Sequence, residues 1–205
     1  MKRRIFYLFG LFGPFLFGFT AILGGALRPG YSHITDTVSE LFSPGSPNRF
    51  LLIILHTTFA VFLTLFGVGL LRFVQDTGKF KTIGITASLD FILVGILNIL
   101  TATIFPQDAW GSTPTFYGEM HIIISGVLSV LSILYMILFS VWFHRTRIAT
   151  FFLPYSIATV TVVILTAGWF MASFGSPIMG ISERVTILVG FQWTVILAVI
   201  VLKND

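Results

Sequence analysis

FLLIILHTTFAVFLTLFGVGLLRF, Phe50 to Phe73, is a run of 24 residues whose only ionisable side chains are His56 and Arg72. As a helix it would extend about 36 Å, enough to cross a hydrocarbon core of about 30 Å. A helix that is apolar on every side needs either a large protein interior or lipid around it. A chain of 205 residues with 56% hydrophobic and 10% charged side chains and a mean hydropathy of +0.97 offers no such interior, so lipid is the solvent.

Five further segments repeat the pattern: Phe6 to Leu27, Ile83 to Phe105, Tyr117 to Phe143, Phe151 to Phe174 and Val185 to Leu202. The expected fold is all-α, a polytopic bundle of six transmembrane helices forming one domain over residues 1–205. The apolar run after Lys2, Arg3 and Arg4 is about 22 residues long and exceeds a signal-peptide core of roughly 7 to 15, so it reads as an uncleaved first span. Cleavage near the small residues Gly24 to Ala26 is the alternative.

The 12 basic residues divide nine to three between the two sides. Lys2, Arg3, Arg4, Arg72, Lys79, Lys81, Arg145, Arg147 and Lys203 share one side, against Arg28, Arg49 and Arg184. The positive-inside rule makes the side with nine cytoplasmic, so a cell-membrane protein with both termini inside is expected. With basic residues dispersed at helix ends, a net charge of +4 implies no nucleic-acid partner; the bilayer itself is the expected one. The chain has no cysteine, which excludes disulfides, thiolate metal sites and a Cys nucleophile.

Three outward connections use a common turn vocabulary: Gly45-Ser46-Pro47, Gly111-Ser112-Thr113-Pro114 and Gly175-Ser176-Pro177. Backbone demands of turns account for it without a threefold repeat. The first connection has helical periodicity after Ser32, a suitable N-cap. There His33, Asp36 and Glu40 fall within about 60° of one another and Ile34, Val38 and Leu41 on another face, which predicts a short interfacial helix.

Ionisable groups are costly in lipid and usually face a bundle interior or water. Most are expected at the outer rim: Arg28, His33, Asp36, Glu40, Arg49, Asp108, Glu119, His121, Glu183 and Arg184. Pro106 ends the third span and sets Asp108 just beyond it. His121, Ser125, Ser129 and Ser132 recur at helical spacing, a polar stripe that suits helix packing as well as chemistry. Deeper in the membrane, Asp90, Asn98 and Thr101 share an edge of the third span, with His56 or Gln192 as expected partners for the Asp90 carboxyl. His56 itself reads as a hydrogen-bonded structural histidine.

Several of these residues stand in an order that resembles the bacterial and archaeal membrane family catalogued as domain of unknown function 998. They are Gly13-Pro14, Tyr31-Ser32-His33, Ser39-Glu40-Leu41, Ser43-Pro44-Gly45-Ser46-Pro47-Asn48, Phe105-Pro106-Gln107-Asp108, His121, Glu183-Arg184 and Trp193. Phe42 departs from a glycine common in relatives. The resemblance implies a six-helix membrane domain and no defined activity, and it draws attention to Ser32, His33, Ser39, Glu40, Asp108, His121 and Arg184.

Four functions fit the residues. The first is an outward pocket of Arg28, Ser32, His33, Asp36, Glu40, Asp108, His121 and Arg184 that binds, or transports, a small molecule, ion or lipid headgroup. A membrane hydrolase would use Glu40, Asp108 and His121 as acid and base, or His33, Asp108 and His121 as ligands of zinc or manganese. No compact metal-protease or serine-hydrolase motif accompanies them. A structural or regulatory protein would use the same residues to tie loops to helix ends. A haem protein would take His56 and His121 as axial ligands. Cofactor, substrate and oligomeric state cannot be read from the sequence.

Overall fold

A computed structural model describes residues 4–205, and Lys2 and Arg3, counted in the charge split, lie outside the described residues. Six helices follow one another: α1 Arg4–Leu27, α2 Arg49–Thr77, α3 Lys81–Thr103, α4 Phe116–Thr146, α5 Phe152–Ala172 and α6 Met179–Asn204. All six are long and apolar enough to cross a membrane, so the chain is a multi-pass membrane protein.

Local chemistry sets where the helices stop. The α2 helix ends on Gly78 in the left-handed region at φ 76°, where its N–H bonds the Val74 carbonyl. The α4 helix begins at Thr115, whose hydroxyl accepts the Gly118 N–H at 3.2 Å. Pro154 falls in the first turn of α5, where a missing N–H costs nothing. The α6 helix starts at Met179, well before the expected Val185, so Glu183 and Arg184 lie on the helix itself.

Each helix packs on the next, and α6 returns to α1, closing a ring. Lipid tails are as apolar as the side chains, so close packing rather than water exclusion holds such a ring together. Small residues permit it between α2 and α3: a Cβ on Gly67 would lie 2.7 Å from the Ile92 side chain, and one on Gly95 would collide with Thr64. Outward-facing Phe12, Phe15, Phe19 and Ile22 of α1 are exposed, as lipid contacts should be.

Toward the chain termini the ring is filled by aromatic side chains. Tyr7 meets Phe73 at 6.3 Å, Phe73 meets Trp142 at 5.9 Å, and Trp142 meets Phe143 at 4.9 Å. Phe143 then meets Phe152 at 5.5 Å, Phe152 meets Trp193 at 5.1 Å, Trp193 meets Tyr135 at 5.5 Å and Tyr135 meets Phe91 at 4.6 Å. This chain of rings touches all six helices. Both buried indoles find partners, Trp142 donating to the Lys79 carbonyl at 3.1 Å and Trp193 to the Ser156 hydroxyl at 2.8 Å.

The first long connection, residues 28–48, differs from expectation. Residues 33–36 form a turn, and the only helix in this connection is a single 3-10 turn at Ser39–Phe42. The Ser32 hydroxyl faces the N–H groups of Ile34 and Thr35 at 3.3 and 3.4 Å, a local turn that substitutes for the predicted N-cap. Glu40, Leu41 and Phe42 are buried, so this segment rests on the end of the ring rather than on a lipid interface.

Candidate functional site

On the loop side of the aromatic layer the ring encloses a cavity of about 310 Å3. Its lower wall is apolar, with Phe59, Leu63, Phe91, Tyr135 and Met136. Higher up the wall turns polar: Asn98 and Thr101 from α3, His121, Ser125, Ser129 and Ser132 from α4, and Glu183 and Thr186 from α6. The serine stripe of α4 therefore borders the cavity along its length.

His56 projects into this cavity from α2 and is 7% exposed. Phe17, Phe42 and Phe59 surround its ring at centroid distances of 5.8, 4.9 and 5.4 Å. The Asn98 backbone approaches one ring nitrogen outside normal hydrogen-bond geometry, and the other has no hydrogen-bond partner among the described residues. Buried imidazole nitrogens ordinarily find partners. His121, 9% exposed, places Nδ1 2.8 Å from the Phe105 carbonyl and also meets the Thr101 backbone.

The 28–48 connection roofs the cavity with Val38, Ser39 and Phe42, and four charged side chains hold it down. The Val38 N–H donates to Glu183 Oε2 at 2.6 Å, so a cavity-lining carboxyl of α6 also carries the roof. Arg184 Nη1 donates to the carbonyls of Asp36 and Gly180 at 2.7 and 2.8 Å, and its Nη2 to the Tyr31 hydroxyl. Arg28 reaches the Glu40 carbonyl at 2.8 Å and Arg49 the Phe42 carbonyl at 2.7 Å. Burial pushes the Tyr31 phenol up to about 12 against the pull of Arg184, so it stays protonated and donates to the Thr37 carbonyl at 2.8 Å.

A model of the family described as Protein of unknown function (DUF998) matches residues 11–200, which include parts of all six helices. The chain belongs to this family. No curated protein and no solved structure shows a significant match.

For this DUF998 member the residues singled out in the sequence separate into three groups. His56, Asn98 and His121 line the cavity. Arg28, Asp36, Glu40 and Arg184 belong to the roof and its fastenings: the Glu40 carboxylate accepts the Thr37 N–H at 3.0 Å and Asp36 accepts the Ser32 N–H at 2.9 Å. His33 is exposed beside Tyr31 and Gly25, its imidazole held below the usual range by burial and then by Arg184. Asp108 stands apart, binding the N–H and hydroxyl of Thr115 at 2.7 and 2.8 Å over the start of α4. Among the described residues no three His, Asp or Glu side chains come close enough together to hold a metal ion. Both histidines considered for a haem, His56 and His121, do border the same cavity.

The expected pairing of Asp90 with His56 or Gln192 does not form. Asp90 is 7% exposed, neither carboxyl oxygen has a hydrogen-bond partner among the described residues, and Gln192 is engaged by Tyr155 on α5. Shared periodicity placed Asp90 and Asn98 on one edge, but only Asn98 of the two lines the cavity. Around His56 the ring's close neighbours are phenylalanines, and its polar neighbours are the Asn98 backbone and His121.

Sequence reading left Glu183 and Phe17 out of the site. Glu183 is expected from sequence only as one of the outer-rim acids, ahead of a last span that begins at Val185. Phe17 is one of 23 phenylalanines, and nothing in its sequence context separates it from those that face lipid.

Proposed function

We propose that this protein binds a small amphipathic molecule inside the helix ring. The head of that molecule hydrogen-bonds His56 and His121, helped by Asn98, Ser125 and Glu183, and its apolar part lies against Phe59, Leu63 and Phe91. One observation carries the reading: a histidine 7% exposed, facing a cavity, with at least one ring nitrogen left without a partner among the described residues. An unpaired buried polar group costs about 1–3 kcal/mol, and a bound hydroxyl or carbonyl would remove that cost. A mostly apolar cavity with a few convergent polar groups is the usual character of a small-molecule site.

The same reading sets the protein in the cell membrane with cytoplasmic termini and the roof outside. Arg72, Lys79, Lys81, Arg145, Arg147 and Lys203 on the terminal side support that orientation. Arg28, Ser32, His33, Asp36, Glu40 and Arg184 then act on the ligand through the roof that they order, and Asp108 orders the start of α4 above His121.

Native mass spectrometry of protein purified in mild detergent tests the binding role. Wild type is expected to carry an amphiphile of defined mass, and His56→Phe and Ser125→Leu are expected to release it. Wild-type protein that carries no adduct and takes up no fluorescent fatty-acid analogue from micelles would overturn the reading.

A further inference from the structure

We propose that the cavity is filled sideways from the bilayer, through a gap between α4 and α5, by the hydrocarbon chain of a membrane lipid whose polar end stays at His56. This rests on the binding role above and names both the source of the ligand and its route.

The α4 and α5 helices are tied at two levels. Toward the termini they are joined by the short connection 147–151 and by Phe143 against Phe152 at 5.5 Å. At the loop side Trp110, ahead of α4, meets Phe174, just past α5, at 5.3 Å. Between these ties two hydroxyls are satisfied within their own helices rather than across the pair. The Ser129 hydroxyl turns back to the Ser125 carbonyl at 3.0 Å, and the Thr166 hydroxyl to that of Val162 at 2.8 Å. A Cβ added at Gly126 or Gly168 would meet nothing within 4 Å.

Ser129 is an exposed residue and also part of the cavity wall, so the wall reaches the outside of the ring there. It lies 13 residues into a 31-residue helix, about 20 Å along a length of about 46 Å. At that depth the surroundings are hydrocarbon rather than water or headgroups. The most apolar stretches of α4 and α5 are also the least covered, each 22% buried against 33–39% for the other four helices. The roof above is fastened by the Val38 to Glu183 bond and the Arg184 contacts.

The alternative to a chemically vague pocket is thus a site with hydrocarbon at its door and an unpaired imidazole at its end. An acyl chain entering at Ser129 would lie along the serine stripe, and its ester or acid end would offer His56 an acceptor or donor. The 93%-buried His56, with a ring nitrogen left free in the same space, gives the polar end its anchor.

Protein reconstituted in phosphatidylcholine vesicles containing a phosphatidylcholine with a diazirine partway along one acyl chain provides the test. After illumination, peptide mapping should find lipid adducts on interior residues of α2, Phe59 and Leu63, as well as on outward Ile164 and Leu165 of α5. Ser129→Phe should reduce the interior adducts about tenfold, equivalent to about 1.4 kcal/mol, and leave the α5 adducts unchanged. Gly126→Leu, at a position with free space, is expected to do the same without disturbing the fold, and Ser129→Ala should behave as wild type. Wild-type interior residues free of adducts, or interior adducts that persist in both plugged variants, would overturn the lateral route. If detergent-purified protein still carries its amphiphile in that case, the binding role stands and only the route falls; if it carries none, both fall.

Discussion

Toward the termini the six helices close on a continuous run of aromatic rings, while toward the 28–48 connection the same helices stand around a space walled by serines, histidines and a glutamate. The first region pairs its two buried indoles, Trp142 and Trp193, and leaves the Asp90 carboxyl without a hydrogen-bond partner among the described residues. The second leaves a His56 ring nitrogen, together with the Thr57 hydroxyl beside it, without a partner among the described residues. In lipid, where burial alone does not hold helices together, packing quality decides stability. The contrast therefore assigns stability to the aromatic half and function to the open half.

Trp193→Ala should expose that division most strongly. It removes a side chain of 0% exposure from the centre of the ring chain, with loss of about 3 kcal/mol, read by detergent-denaturant unfolding. An effect no larger than that of cavity-wall variants would erase the distinction between the halves.

Arg184→Ala should come next, at about 2 kcal/mol, because three carbonyl and hydroxyl partners lose a charged donor. Its damage should be local, with new protease cleavage in residues 28–48 while the helices stay protected. Global unfolding instead would mean that the roof and the ring are one cooperative unit.

His56→Phe sharpens the comparison from the other side, since it replaces an unpaired imidazole by a fourth phenylalanine among Phe17, Phe42 and Phe59. Stability should rise by about 1 kcal/mol while the bound amphiphile is lost, the opposite pairing of effects from Trp193→Ala. A fall in both stability and binding would make His56 a structural residue. The smallest change belongs to Thr115→Ala, which removes the cap of α4 at an exposed site for about 0.5 kcal/mol, measured in the same unfolding assay. A loss above that of Arg184→Ala would show that Asp108 and Thr115 anchor more than a helix end.

Much of this fold was legible in the chain. The Phe50–Phe73 run and its five counterparts became six helices because apolar length is a local property, and a backbone in lipid has no acceptable alternative to a helix. The polar stripe from His121 to Ser132 was legible too, because 3.6-residue spacing is local. Its destination was not, and neither was the fate of the 28–48 connection. Periodicity suggested a surface helix there, yet Glu183 and Arg184, about 145 residues away in the chain, recruit its backbone groups and pull Val38 and Phe42 over the ring.

By itself, then, the sequence determined the number of spans, their boundaries to within a turn or so except at the start of α6, and which side of the membrane gathers the basic residues. All of these follow from hydropathy and charge summed along short stretches. Tertiary structure alone decided that the helices close into a ring, that one half is solid and the other hollow, and that His56 rather than Asp108 faces the hollow. Those outcomes depend on which helix meets which, and contacts between residues far apart in the chain leave no signature in the composition of either.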